Sequence, residues 1–369
     1  MDADFLIVGG GPIGLGAAMV AAKAGCRVRV IERAHGPVDK ACGEGLMPPA
    51  VAWLRRTGID VPAWGQHRFR GIRYIDRELT VEGDFPDGEG LGVRRLALSE
   101  GFRRRALELG VEIEEGEELS GISPSSHGVA LTLRSGGRRE ARFLLGADGL
   151  HSTTRRLLGV EVTRGPALRH GIRQHFTGRP WSDHVEVWWG DRAEAYVTPV
   201  GPERVGIALL WSGGPARFDT LLAAFPALRE RLGPAESAPR GAGPFDLRVS
   251  RRVIGPAVLI GDAAGYLDAI TGEGIALGLE QAEAAVHLCL AGKISVYEAE
   301  WWRLSRRHRL LTRLLLAIGR RPKLRRRIFR ALAQEPAAFG AFLGLNTGTT
   351  SLATVLARSW RLPLRLLAG

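Results

Sequence analysis

Near its start the chain reads Phe-Leu-Ile-Val-Gly-Gly-Gly-Pro-Ile-Gly over residues 5–14. The apolar run has the length of a buried strand, and the alanine-rich stretch 17–24 favours a helix. Glycines at such a junction allow a tight turn, close approach of backbone to a pyrophosphate and close helix–strand packing. The stretch therefore predicts a dinucleotide-binding turn with these residues: Gly9, Gly11, Pro12, Ile13 and Gly14.

A second alternating run over residues 27–31 ends at Glu32, at the spacing expected for a carboxylate that binds a ribose. An acid at this position favours a free ribose 2′-OH over a 2′-phosphate, so the site suits FAD or NAD better than NADP. The alternative is an ordinary glycine-rich turn in which Glu32 is solvated.

The composition is typical of an enzyme without a membrane span. The chain has 369 residues, 45% of them hydrophobic, and contains no run of 18 apolar residues. Asp2 and Asp4 stand where a signal peptide would carry positive charge, so we expect a cytoplasmic protein. Cys26, Cys42 and Cys289 show no disulfide or metal-ligand spacing, and the nine histidines are scattered, so no metal is expected.

Positive charge is concentrated in the last part of the chain. Residues 301–369 contain 15 Lys and Arg but one acid, Glu335, in a chain of net charge +12. Between Arg303 and Ile318, leucines recur at helical spacing with arginines on the other faces. Such a helix either contacts an anionic membrane surface or packs on its own domain with a solvated basic face. The stretch has no recognised nucleic-acid motif or interleaved aromatics, so no nucleic-acid partner is expected.

Two further motifs follow strand-like runs. Gly146-Ala147-Asp148-Gly149 comes after the run 141–145, and Gly261-Asp262-Ala263-Ala264-Gly265 after the run 257–260. Between them, residues 171–210 are rich in β-formers and lack βαβ alternation, which indicates an antiparallel sheet.

The three motifs in this order resemble those of FAD-dependent oxidoreductases with the para-hydroxybenzoate hydroxylase fold, which include the group A flavin monooxygenases and the geranylgeranyl-reductase-like enzymes. Ser152 and Arg155 complete the middle motif. The strings Cys42-Gly43-Glu44-Gly45-Leu46 and Thr271-Gly272-Glu273-Gly274-Ile275 are similar to the geranylgeranyl reductase branch in particular.

The resemblance implies an α/β fold in which a Rossmann-like FAD-binding domain is interleaved with an antiparallel β-sheet substrate domain, followed by a basic helical C-terminal region. We expect the segments to divide as follows: FAD-binding 1–75, substrate-domain strands 76–100, FAD-binding 101–165, substrate domain 166–250, FAD-binding 251–300 and C-terminal region 301–369.

The resemblance also implies cofactor contacts. Asp262 would accept hydrogen bonds from ribityl hydroxyls or cap a helix, and the helix from Gly274 would point its N–H groups at the flavin N1/O2 edge. Arg95 would border the cofactor, although Arg94 is an alternative, and Asp148 would be structural or support the cofactor indirectly. The other implied cofactor residues are Glu32, Arg33, Lys40, Leu119, Gly261, Gly272 and Ile275.

On the substrate side, Cys42 would begin a loop that faces flavin and substrate, as a proton donor, a nucleophile or a pocket-lining residue. Tyr196 and Pro199 fall where the reductases carry a Tyr-x-Trp-x-Phe-Pro lipid-contact motif. This chain reads Glu-Ala-Tyr-Val-Thr-Pro over residues 194–199 and so lacks most of the aromatic residues. The tryptophan pair of flavin-dependent halogenases is also missing there.

The expected function is that of a monooxygenase, in which NADPH or NADH reduces FAD and a C4a-hydroperoxide formed with oxygen hydroxylates a hydrophobic aromatic or polyketide-like compound. The alternative is an FAD enzyme that reduces isoprenoid C=C bonds. The changes at residues 194–199 favour the first, and the string 42–46 favours the second. A third possibility, a non-catalytic protein that binds lipid surfaces or polyanions through its basic tail, leaves three flavin motifs without a purpose.

Overall fold

The computed structural model describes residues 2–166 and 168–360. Numbered in chain order, its strands are β1 (Ala3–Val8), β2 (Val28–Glu32), β3 (Gly45–Leu46), β4 (Gln66–Phe69), β5 (Gly71–Asp76), β6 (Leu79–Asp84), β7 (Gly90–Val93), β8 (Glu112–Glu115), β9 (Leu119–Ser125), β10 (Gly128–Leu133), β11 (Arg138–Gly146), β12 (Val162–Arg164), β13 (Arg169–Thr177), β14 (His184–Trp189), β15 (Ala193–Gly201), β16 (Arg204–Ser212), β17 (Arg240–Ala242), β18 (Leu247–Val249), β19 (Val253–Ile254) and β20 (Ala257–Leu259). The helices are α1 (Pro12–Lys23), α2 (Pro48–Thr57), α3 (Arg95–Glu108), α4 (Thr153–Leu157), α5 (Phe218–Leu222), α6 (Pro226–Arg229), α7 (Gly274–Leu290), α8 (Tyr297–Gly319), α9 (Pro322–Ala333), α10 (Pro336–Thr347) and α11 (Leu352–Arg358).

The first sheet has eight strands and a parallel centre. Its order is β19-β20-β11-β1-β2-β8, with β10 and β9 added in antiparallel fashion beside β11. Residues 5–8 of β1 are buried because the strand lies between β11 and β2 and is covered by helices, which explains their unbroken apolar run. Parallel strands end at the same edge. Val8 pairs with Ile31 and Gly146, and Gly146 pairs with Leu259, so the three glycine motifs emerge side by side.

The second sheet has seven strands in the order β17-β13-β16-β15-β14-β5-β6. All its pairings are antiparallel except that of β14 with β5. The predicted fold class is therefore confirmed: a parallel sheet with helices, interleaved with an antiparallel sheet and followed by a helical region. The segment boundaries remain a prediction. The early contribution to this sheet is the hairpin of β5 and β6, which begins at Gly71.

The basic C-terminal helices pack on the second sheet. Helices α9 and α10 contact β6, and Tyr74 on β5 lies against the rings of Phe329 and Phe339, with centroid distances of 5.5 and 5.0 Å. Arg325 of α9 is buried and bonds to Asp76 at 2.8 Å. The region is therefore part of the folded molecule as far as residue 360. Arg361 and Arg365 lie outside the described residues. None of the described helices is long and apolar enough to cross a membrane.

Candidate functional site

The first glycine turn joins β1 to α1 at the carboxyl edge of the parallel sheet. Gly9 has φ +110°, and a Cβ there would lie 2.6 Å from the Ala147 carbonyl oxygen. A Cβ on Gly14 would collide with the Gly9 carbonyl oxygen. Helix α1 begins at Pro12 with Gly11 as its N-cap, so free N–H groups of its first turn face the space beyond the turn. This geometry needs glycine at both positions and suits an anionic ligand.

Glu32, the last residue of β2, reaches back to the glycine turn. Its Oε2 accepts from the Gly10 N–H at 2.6 Å and its Oε1 from the Ala34 N–H at 2.9 Å. Arg33 next to it is exposed. Leu119 begins β9, close to Glu117, whose N–H donates to the Glu32 carbonyl oxygen at 3.1 Å. The structure thus brings all three predicted residues to the end of β2.

Asp148 and Arg155 of the middle motif form hydrogen bonds with other residues of the protein. Asp148 accepts from the N–H and the hydroxyl of Thr154 at 2.8 and 3.0 Å, and also from the Ser152 hydroxyl. Arg155 donates to the Ala263 carbonyl oxygen at 3.0 Å and thereby ties this motif to the third one. These are internal bonds, so the geometry of Asp148 matches the structural alternative in its prediction.

The third motif, residues 261–265, emerges beside the glycine turn of residues 9–14. The space in front of these two motifs is called the cleft below, and charged groups lie beside it. Gly261 has φ +59° and its N–H donates to Gln281 at 3.0 Å, and Ile13 lies close beside it. Asp262 is accessible at the cleft wall. Desolvation by the surrounding protein raises the pKa of its carboxyl, while Lys40 and Arg95 act in the opposite direction. Desolvation and then Arg95 lower the pKa of Lys40. One acid and two cations therefore lie close enough to influence one another.

The structure separates the two arginine candidates. Arg95 is the first residue of α3, and its Nη2 lies 3.5 Å from where a Cβ on Gly11 would be. Its buried Nε has no hydrogen-bond partner among the described residues. Arg94 instead approaches Glu236, at 3.5 Å. Arg95 is thus the one that faces the glycine turn, with a free donor suited to a phosphate oxygen.

The loop 271–274 leads into α7 and has two different sides. On the cleft side, Gly272 has φ +70°, and a Cβ on Gly274 would meet no other atom within 4 Å. Ile275 follows, half-buried, in the first turn of α7. On the opposite side the Thr271 hydroxyl bonds to His308 of α8 at 3.2 Å, and its carbonyl oxygen accepts from Asn346 of α10 at 3.3 Å. The C-terminal helices therefore hold this loop from behind.

Cys42 and Glu44 lie in a loop wedged between α3 and the second sheet. The Cys42 thiol accepts from the Glu44 N–H at 3.3 Å, and burial raises the pKa of this thiol. Glu44 has φ +59°; its Oε1 accepts from the Arg95 N–H at 2.8 Å, and its Oε2 bonds to His175 Nε2 at 2.6 Å. Glu44 therefore fastens the loop, while the Cys42 thiol stays protonated near neutral pH.

Strand β15 of the second sheet forms the facing wall. The Tyr196 hydroxyl donates to the Ile270 carbonyl oxygen at 3.3 Å, and burial raises the pKa of Tyr196 well above its ordinary value. Thr198 donates to the Gly43 carbonyl oxygen at 2.8 Å. Pro199 is buried, and its carbonyl oxygen lies against Gly92. The strand thus touches both the loop 271–274 and the Cys42 loop.

Several contacts that position the site were missed from the sequence. Arg169 of β13 bonds to Glu194 and to Asp268 at 2.8 Å each, and so links the second sheet to the segment before Thr271. His175 and His308 also act at a distance in sequence from their partners. A pattern read along the chain carries no signal for such pairs.

Comparisons with known proteins identify the family. Residues 2–205 match the FAD binding domain family. The chain belongs to this family of FAD-dependent oxidoreductases. The chain is 34% identical to menaquinone reductase of Mycobacterium tuberculosis (strain ATCC 25618 / H37Rv) over 78% of its own length and 76% of that protein. It is 25% identical to digeranylgeranylglycerophospholipid reductase 1 of Methanothermobacter thermautotrophicus over 76% of its length and 75% of that protein.

The similarity to monooxygenases is shorter. The chain is 29% identical to rifampicin monooxygenase of Streptomyces venezuelae over 44% of its length and 35% of that protein. Among solved structures, a flavoprotein/dehydrogenase from Cytophaga hutchinsonii superposes with a TM-score of 0.81 at 21% identity and covers 94% of this chain and 92% of that one, which shows the fold alone. The glycine turn, the unpartnered Arg95 donor and the open space at Gly274 fit the FAD that the family binds.

Proposed function

We propose that this protein reduces a C=C bond in the isoprenoid chain of a lipid, such as the side chain of a menaquinone, with NADPH or NADH as the source of electrons. The sequence alone favoured hydroxylation. We favour C=C reduction over hydroxylation because the sequence similarity to the two reductases spans about three quarters of the chain. The similarity to rifampicin monooxygenase spans 44% of it.

The observation that carries the proposal is the Cys42 thiol. It lies in a loop fastened by Glu44, which also accepts from the Arg95 N–H beside the glycine turn, and burial keeps the thiol protonated. Bound FAD, once reduced, supplies a hydride. The Cys42 Sγ–H would give its proton to the carbon of the double bond that does not receive the hydride, and the resulting thiolate would take a proton back from solvent. In this way the C=C bond becomes a C–C bond with two new C–H bonds.

The other residues hold the reactants. In this proposal Gly9, Gly11, Gly14 and the N-terminus of α1 receive the pyrophosphate, with Arg95 and Lys40 beside it. Glu32 binds the adenosine ribose, Asp262 the ribityl chain, and the N–H groups at Gly274 and Ile275 the flavin N1/O2 edge. Tyr196 lines the substrate side of the cleft. The further residues proposed to border the cofactor are Pro12, Ile13, Arg33, Leu119, Gly261 and Gly272, with Asp148 supporting them indirectly through its bonds to Ser152 and Thr154.

Hydroxylation of an aromatic or polyketide-like compound is the second candidate, and one observation favours it. Glu194 stands where the lipid-contact motif begins with tyrosine, and it is buried in an ion pair with Arg169, which also holds Asp268. A charged cluster at this point suits a substrate with polar groups better than a long hydrocarbon chain. Such an enzyme would consume oxygen and add one oxygen atom to its product.

We also propose that the C-terminal helices contact the cytoplasmic surface of an anionic membrane. On the outer face of α8, Leu310 and Leu314 are 67% and 46% exposed beside Arg306 and Arg313. A cavity of about 520 Å³ at the start of α9 is lined by Asp191, Pro322 and four cationic residues: Arg77, Arg321, Lys323 and Arg326. Leucines interleaved with arginines match a surface of anionic headgroups over acyl chains.

Flotation with vesicles tests the membrane proposal. We expect the wild type to float with vesicles that contain phosphatidylglycerol and not with neutral vesicles, and L310E/L314E to lose flotation with its stability unchanged. Leu107→Glu, at a residue that is 44% exposed on α3, is the matched control. Equal flotation of all three proteins would contradict the proposal.

The Cys42→Ser variant tests the proton donor. Serine keeps the shape of the side chain but is a much weaker acid, so we expect kcat to fall about 100-fold, the lower end of the contribution of a general acid, with KM little changed. Cys26→Ser is the control, since Cys26 lies at the start of β2, away from the cleft. Full activity of Cys42→Ser would rule out the thiol as the acid.

A further inference from the structure

Glu273 stands at the junction between the cleft and the C-terminal helices. It is the N-cap residue of α7, directly before Gly274, whose surroundings are open. Its side chain is 6% exposed and its Oε1 has no hydrogen-bond partner within the described ranges. A buried carboxyl oxygen left without a partner at the first turn of a helix requires an explanation, because native structures rarely leave one.

The charged groups around Glu273 come from two helices. Glu280 lies on α7 itself, and Arg307 and His308 lie on α8, while the side chain that α10 brings to this loop is the neutral Asn346. No ion pair of Glu273 occurs in the part of the chain that the structure describes. Burial raises the pKa of Glu273 to about 8, Arg307 opposes this and Glu280 adds to it. Burial and the neighbouring arginines lower the pKa of His308 to about 4, so it is neutral at pH 7.

We infer that Glu273 takes up a proton when FAD bound at the adjacent helix N-terminus is reduced, so that reduction and protonation of this carboxyl are coupled. The inference rests on the proposed placement of the flavin N1/O2 edge at Gly274 and Ile275. Reduction places negative charge at that edge, which in the proposed placement lies against Gly274, the residue directly after Glu273. In a poorly solvated site two adjacent negative charges repel strongly, and the carboxylate relieves the repulsion by binding a proton from solvent.

The proton balance follows from this arrangement. The nicotinamide donor supplies two electrons and one proton to the flavin. Where Glu273 is ionised in the oxidised enzyme, a second proton enters from solvent and ends on its carboxyl oxygen. Where Glu273 is already protonated, at lower pH, this uptake does not occur. The linkage is reciprocal: ionisation of Glu273 makes the flavin harder to reduce.

The flavin midpoint potential between pH 7 and pH 10 tests the coupling. One proton per two electrons changes the potential by about 30 mV per pH unit, because a tenfold change in the equilibrium constant of a two-electron couple is 29.6 mV. We expect the wild type to steepen to about 60 mV per pH unit above pH 8. Glu273→Gln should keep the shallow slope throughout, whereas Glu280→Gln should still steepen, with its onset at a lower pH because Glu280 helps to raise the pKa of Glu273. Parallel plots for the wild type and Glu273→Gln would overturn the inference.

A second measurement needs no flavin and so separates failure of this inference from failure of the proposed function. The folded pKa of Glu273 lies above its ordinary value of 4.5. The stability that the protonated carboxyl provides is therefore fully present below pH 4.5 and is lost as the pH rises to about 8. Thermal unfolding of flavin-free protein should show the wild type losing stability relative to Glu273→Gln over this range. A constant difference between the two proteins would contradict titration of Glu273.

Discussion

The two walls of the cleft are built in different ways. The strand-edge wall, formed by residues 9–14, 146–149 and 261–265, is mostly backbone, and its shape depends on positions where a Cβ would meet a carbonyl oxygen. The side-chain wall, formed by β15, the Cys42 loop and the C-terminal helices behind residues 271–274, is held by buried charged and polar side chains.

The two walls are therefore expected to differ in the substitutions that they tolerate. In the proposed site the backbone wall receives the phosphates and the flavin, so an added Cβ at Gly9 or Gly14 would distort it. The side-chain wall depends on buried ion pairs, and Glu194 of β15 belongs to one of them with Arg169. We therefore expect substitutions in the first wall to abolish cofactor binding, and those in the second to affect stability or substrate choice.

The largest effect on FAD binding is expected at Gly14. A Cβ there would collide with the Gly9 carbonyl oxygen and push the turn away from the pyrophosphate. Gly14→Ala should weaken FAD binding about 100-fold, which corresponds to about 2.7 kcal/mol. The measurement is a fluorescence titration of flavin-free protein with FAD. Gly214→Ala, where a Cβ would meet nothing within 4 Å, should bind like the wild type. Normal binding by Gly14→Ala would refute the assignment of this turn.

A loss of stability without a change in FAD affinity is expected at Arg325. Its side chain is 1% exposed in an ion pair with Asp76, and it also donates to the carbonyl oxygens of Gly190 and Gly319 at 3.1 Å. Removing one partner of a buried pair costs about 3–5 kcal/mol. Urea unfolding of Arg325→Leu should show this loss. The control is Arg303→Ala, which breaks an exposed pair with Glu300 and should cost at most about 0.5 kcal/mol. Similar costs for both would mean that the C-terminal helices are weakly attached.

A smaller effect is expected at Lys40. Desolvation and Arg95 hold the pKa of Lys40 below its ordinary value of 10.5, so its charge and its attraction for the pyrophosphate are lost as the pH rises through that lowered pKa. Lys40→Met should weaken FAD binding about tenfold at pH 7, equal to about 1.4 kcal/mol, and remove this pH dependence. Lys293→Met, in the turn after α7, is the control. An unchanged pH profile in Lys40→Met would exclude Lys40 from the cofactor site.

The strand-edge wall could be predicted from the sequence because its signals are local. Glycines, an apolar run and an acid at a fixed spacing were enough to bring Gly9 and Glu32 to one edge, and the family resemblance of the motif 261–265 added Asp262. The side-chain wall could not be predicted, since Arg325 and Asp76 are 249 residues apart and Glu44 and His175 are 131 apart. The sequence alone also did not show whether Arg94 or Arg95 faces the glycine turn. Adjacent residues at a helix N-terminus point in different directions, so the answer depends on the residue at which α3 begins.

Reduction of an isoprenoid double bond in the cleft between these walls can be tested directly. The anaerobically reduced, FAD-loaded protein is mixed with a menaquinone, flavin reoxidation is followed by absorbance, and the mass of the recovered quinone is measured after exposure to air. Air converts any quinol back to quinone but leaves a reduced side chain intact. We expect reoxidation without oxygen and a quinone heavier by two hydrogens. Reoxidation only after oxygen is admitted, with a product heavier by one oxygen, would contradict this expectation and establish the monooxygenase.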